Sequence, residues 1–110
     1  MNKMSLDALA REHLGKATTA SSGRSATTVY GGHEATLRQT VIAMAQGMTL
    51  AEHENPGEAT VQVLNGRVRL ASGSTSWEGR RGDLLVVPQQ PHSLEALEDA
   101  VVLLTVAKIS

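Results

Sequence analysis

The stretch from His53 to Glu58 places an imidazole, an amide (Asn55) and a carboxylate (Glu58) around the turn Pro56-Gly57. Imidazole and carboxylate are the donors that suit iron, manganese, zinc, nickel or copper. The turn runs into Ala59-Thr60-Val61-Gln62-Val63, a β-branched strand. Another histidine, His92, follows the turn-forming segment Pro88-Gln89-Gln90-Pro91, and His33 and His13 complete the set of four. The residue types therefore raise the question of a metal site, or of what is left of one.

Other chemistries are excluded or unsupported. The chain has no cysteine, which removes disulfides, thiolate metal sites and a cysteine nucleophile. It has no Ser-His-Asp order, phosphate-cradling loop, His-Glu-x-x-His pair or dinucleotide fingerprint. Ten basic residues are spread against eleven acids, for a net charge of -1, which argues against a nucleic-acid or anionic-membrane surface. Tyr30 and Trp77 are the sole aromatics, so stacking platforms for single-stranded nucleic acid are missing. After Lys3 the N-terminus turns polar at Ser5 and Asp7 with no continuous apolar stretch, and the expectation is a cytoplasmic protein. The longest apolar run, Ala100 to Ala107, is far too short to span a bilayer.

The 110 residues suit one domain whose core is built from Val, Leu, Ile, Met and Ala. Residues 1–30 are expected to form an N-terminal helix and connector. Ser5 can N-cap the helix, Asp7 favours its first turn, and Gly15 can end it. Leu6, Leu9, Ala10 and Leu14 make a stripe that must dock on the sheet or on a second subunit. His13, beside that stripe, is assigned no chemistry. The connector Ala17–Thr28 is small and polar and ends in an edge strand near Thr27–Tyr30. Residues 31–110 then read as about eight short strands with turn signals every few residues, an all-β sandwich or barrel. The last strand, Ala100–Ala107, is apolar on both faces and so must be covered on both, by the core and by a partner surface.

Two blocks, Gly47–Gly66 and Gly82–Ala96, resemble the two motifs of the cupin superfamily. The resemblance spans roughly residues 36–107 and implies a small jelly-roll barrel of antiparallel strands with a short N-terminal helix. It also implies a divalent ion held inside the barrel by a His-x-His pair, a Glu and a second-motif His. Here His53 matches the first His, and Asn55 stands where the second belongs. Counting back from Gly66, the Glu position falls on Ala59, with Glu58 one residue early. His92 matches the second-motif His, Gln90 replaces a Gly, and Ala96 fills the last Asn position.

The candidate metal set is therefore His53, His92, Glu58 and Gln62, with Asn55 and His33 as pocket residues. Each has a plainer alternative. His53 and His92 could be hydrogen-bonded histidines at a barrel mouth. Asn55 suits a turn before proline, and Glu58 suits a solvated turn. Gln62 faces outward if Ala59, Val61 and Val63 face inward, and inward only if the register slips by one. His33 is an exposed loop residue unless it supplies a missing third ligand. Three functions stay open: a divalent-metal cupin acting on a small molecule, a metal-free small-molecule-binding module, and a structural dimer. A homodimer is expected, covering the helix stripe and the outward Val and Leu of the edge strands.

Overall fold

A computed structural model describes residues 3–53 and 57–107, with Glu52 and His53 described as backbone alone. Helix α1 (Leu6–Thr19) opens on Ser5, whose Oγ accepts the Ala8 N–H at 3.1 Å. Gly15 does not end it. Thr18 and Thr19 bond back to the Leu14 and Gly15 carbonyls, both at 3.0 Å, and Ala17 is fully buried. Packing of the following turn thus overrides the cost of about 1 kcal/mol that a helical glycine carries relative to alanine.

Nine strands follow among the described residues: β1 (Arg24–Tyr30), β2 (Leu37–Met44), β3 (Thr49–His53), β4 (Glu58–Asn65), β5 (Arg67–Ser72), β6 (Thr75–Arg80), β7 (Leu84–Val87), β8 (His92–Ala96) and β9 (Ala100–Ala107). They form two antiparallel sheets, one ordered β1-β2-β9-β4-β7 and one ordered β3-β8-β5-β6. β1 begins three residues earlier than the sequence suggests and is the edge strand of the first sheet, paired along β2. The segment read as connector therefore contributes to the sheet.

The alternation expected of half-buried strands holds where it matters. In β4, Ala59, Val61 and Val63 are buried while Glu58 and Gln62 are exposed. In β5, Val68, Leu70 and Ser72 point inward. The buried Ala, Val and Leu of these two strands join Met44, Leu94 and Val102 in one core between the two sheets.

A second apolar cluster lies on the other face of the larger sheet. Ala10 and Ala17 of α1 pack with Val41 and Ala43 of β2 and with Val101 and Leu103 of β9, flanked by Leu6 and Leu14. This explains the two-sided apolar character of β9: one side meets the core, the other meets α1. The cover expected from a partner comes from the chain's own helix. A helix of this length is marginal alone, so the burial holds it. Each fully buried Val or Leu contributes about 1.5–3 kcal/mol.

Gly66, in the turn from β4 to β5, has φ +76°, and a Cβ there would run into the Asp99 carbonyl and the Ala100 Cα. Its missing side chain lets the β4–β5 and β8–β9 turns pack backbone to backbone.

Candidate functional site

The strand directions gather four connections at one end of the two sheets: β1 to β2, β3 to β4, β5 to β6 and β7 to β8. His53 closes β3 and His92 opens β8, and the two are direct register partners across the antiparallel pair. Residues far apart in sequence thus stand opposite each other at that end.

His92 is buried, with 5% of its surface exposed, in an otherwise aliphatic wall. Together with Ile42, Leu50, Val61, Leu70 and Leu104 it lines an interior cavity of about 30 Å³. Its Nδ1 lies 2.9 Å from the Gln90 carbonyl oxygen. A carbonyl can only accept, so Nδ1 carries the hydrogen. Gln90 enters the site through its backbone, a role its side-chain type does not signal.

Ser72 supports this turn. It is buried, and its Oγ donates to the Pro91 carbonyl at 2.8 Å. The hydroxyl tethers the segment preceding His92 to the inner face of β5. Ser72 was missed from sequence, although its parity with Val68 and Leu70 marks it as inward-facing.

Of the other candidates among the described residues, Glu58, Gln62 and His33 are not brought into the interior. Glu58 and Gln62 are exposed, on the face of β4 opposite Val61 and Val63. The slipped register that would turn Gln62 inward does not occur, because β4 pairs Val61 with Leu85 and Gln62 with Leu84. Glu58 shares the parity of Gln62, so the two cannot reach an ion beside His92. His33 is exposed in the connection between β1 and β2, at the same end as His92. Asn55 lies outside the described residues. Trp77 sits on the edge strand β6, half-exposed, opposite Leu70.

The fold resembles many solved structures. One is a cupin superfamily protein from Desulfitobacterium hafniense, with a TM-score of 0.72 and 15% identity, covering 78% of each chain. Another is an RmlC-like cupin from Desulfovibrio desulfuricans, with a TM-score of 0.66 and 26% identity over 76% of this chain and 81% of that one. The chain has the cupin fold. A conserved protein of unknown function from Streptococcus pyogenes also matches this chain, with a TM-score of 0.73 and 26% identity over 83% of this chain and 79% of that one. No family model and no curated protein matches it.

The donor chemistry of this chain fits a resident metal only in part. His92 is held as metal-bound histidines commonly are, with its second ring nitrogen donating to a backbone carbonyl. The carboxylate and amide that were candidates to join it face away. Among the described residues, no three His, Asp or Glu side chains form a group that could hold an ion. Among the described residues no helix is long and apolar enough to cross a membrane.

Proposed function

We propose that this cupin is a small-molecule-binding module whose two sheets form a jelly-roll barrel, with His53 and His92 as the polar anchor of its ligand. The observation that carries this reading is the buried His92 imidazole, oriented by the Gln90 carbonyl and opposite His53 in strand register. A few convergent polar groups in an aliphatic wall are the usual make-up of a ligand site. The interior cavity of about 30 Å³ has room for one or two waters. The ligand is therefore placed toward the opening, where the four connections converge, with His92 at its inner end. A cytoplasmic location belongs to the same reading.

The test is a thermal-shift screen of small polar metabolites on the wild-type chain and on His53→Gln and His92→Gln. A ligand that binds the folded state raises the melting temperature by mass action. Compounds that stabilise the wild type should lose that effect in both variants. Hits that stabilise all three proteins equally overturn the assignment.

A second reading, that the two imidazoles hold an exchangeable divalent transition metal, is favoured by the hydrogen placed on Nδ1 of His92. Two histidines bind weakly without a third protein ligand. Elemental analysis after growth with iron, manganese, zinc, nickel and copper decides it. About one metal per chain, lost in both glutamine variants, would put the metal reading first.

A further inference from the structure

The end of the sheets opposite His53 and His92 carries the turns from β4 to β5 and from β6 to β7. There the fold brings together four of the chain's seven arginines, which the sequence scatters. Arg11 of α1 and Arg81 of the β6–β7 turn line one recess of about 270 Å³, together with Asp7, Leu14, Leu64 and Asn65. Arg81 also borders a neighbouring recess of about 380 Å³, with Gly66, Arg67, Arg80 and Glu98. The two recesses adjoin along Arg81 and the turn at Asn65-Gly66.

The backbone that carries these side chains is fixed. Arg80 N–H donates to Asp83 Oδ2, and Asp83 N–H returns to the Arg80 carbonyl, both at 2.8 Å. Gly82 N–H donates to the Val63 carbonyl at 2.8 Å, which pins this turn to β4. Arg11 stands on α1, which is seated by Ala10 and Ala17. Such preorganisation lowers the ordering cost of binding.

Most acids nearby are already committed. Glu78 and Glu98 pair with Arg67 at 3.2 and 3.3 Å. Asp83 closes its own turn, and Asp99 Oδ1 accepts the Gln46 N–H at 2.8 Å. Arg11, Arg80 and Arg81 are exposed, and none forms an ion pair with a described carboxylate. Asp7 lines the first recess but pairs with neither of its arginines. Three guanidinium groups are thus gathered without counter-ions in a chain whose net charge is -1. A concave positive site concentrates anions.

We infer that the recess between Arg11 and Arg81 binds the phosphoryl group of a small phosphate monoester. The guanidinium fork matches phosphate oxygens in pairs. Asn65 adds an amide donor, and Leu14 and Leu64 offer an apolar wall to the organic part. A membrane surface takes about four to eight clustered basic residues, and three around a concavity are a poor match for it. No aromatic residue lines either recess to stack a nucleic-acid base. The site lies at the opposite end from the two imidazoles and does not depend on the function proposed for them.

The experiment is heteronuclear NMR of the isotopically labelled chain, titrated with inorganic phosphate and with phenyl phosphate to about 20 mM at constant ionic strength, a range that captures millimolar binding. Both probes should give saturable shifts at Arg11, Asn65, Gly66 and Arg80 to Gly82. Phenyl phosphate should bind several-fold tighter than inorganic phosphate, because its ring gains the apolar wall. Arg11→Gln and Arg81→Gln should each weaken phenyl phosphate about three- to tenfold with unchanged far-UV circular dichroism. Arg38→Gln, at an exposed arginine of β2, should bind as the wild type does. The chain should stay in the supernatant with phosphatidylcholine vesicles that contain phosphatidic acid. Shifts that never saturate, or that cluster elsewhere, overturn the inference. So do binding that survives the Arg11→Gln, Arg81→Gln double variant, equal loss in Arg38→Gln, equal affinity for the two probes, and pelleting with the vesicles.

Discussion

Replacing Gly66 with alanine should separate two costs that are usually confounded. The first is conformational: an L-residue held at φ +76° pays about 1–2 kcal/mol for the left-handed region. The second is steric, because the new methyl would overlap the Asp99 carbonyl and the Ala100 Cα. These are backbone atoms of the turn entering β9, so relief requires two turns to part, at about 1–3 kcal/mol by analogy with overpacked cores. Gly73→Ala is the matched control. Its φ of +59° demands the same conformation, but nothing lies within 4 Å of its added methyl. The expected losses are about 2–5 kcal/mol for Gly66→Ala and about 1–2 kcal/mol for Gly73→Ala. At about 4 °C per kcal/mol, the first melts about 8–20 °C early and the second about 4–8 °C early. Urea unfolding with unchanged m-values would establish both numbers. Should Gly66→Ala fall within about 1 kcal/mol of Gly73→Ala, the close approach of the two turns is not a determinant of the fold.

Two further outcomes test how α1 and the smaller sheet are held. Buried His13 shares a 2.7 Å hydrogen bond between its Nδ1 and Ser25 Oγ across the helix–sheet contact. Ser25→Ala should destabilise by about 1–3 kcal/mol by leaving a buried polar atom unpaired, and a double-mutant cycle with His13→Leu should be non-additive. On the outer face of the smaller sheet, Arg67 and Arg69 lie within ion-pair distance of Glu78, Glu95 and Glu98. Glu95 and Arg69 are each partly exposed, so Glu95→Gln should change stability by less than about 1 kcal/mol, and by less still at high salt, as read from denaturant midpoints.

The strands were legible because hydropathy contrast was strong. β5 and β9 fall where their residue patterns place them, and the parity of Ala59, Val61 and Val63 already favoured an outward Gln62. The start of β1 was hidden because Arg24–Thr28 is mostly Ser, Thr and Ala, which give alternation little contrast. The extension of α1 past Gly15 was hidden because what holds it, a buried Ala17 and back-bonded threonines, depends on a sheet formed much later in the chain. At the site, the cupin motifs brought His53 and His92 into the same argument, and the strand register pairs them. Glu58 and Gln62 were drawn toward the same site by their chemistry and excluded from it by a period of two. The Gln90 carbonyl and the Ser72 hydroxyl carry no side-chain signature of their roles, so only the folded turn reveals them.

The position of β9 bears on how the protein is born. It occupies the middle of its sheet between β2 and β4, yet it follows every other described element in chain order. A nascent chain on the ribosome therefore exposes the bare margins of β2 and β4 until residues 100–107 emerge. Through that interval α1, made before these strands, has no complete seat. Such unpaired margins invite association with other chains. Synthesis of this fold thus carries a window of vulnerability that shielding by a chaperone would shorten.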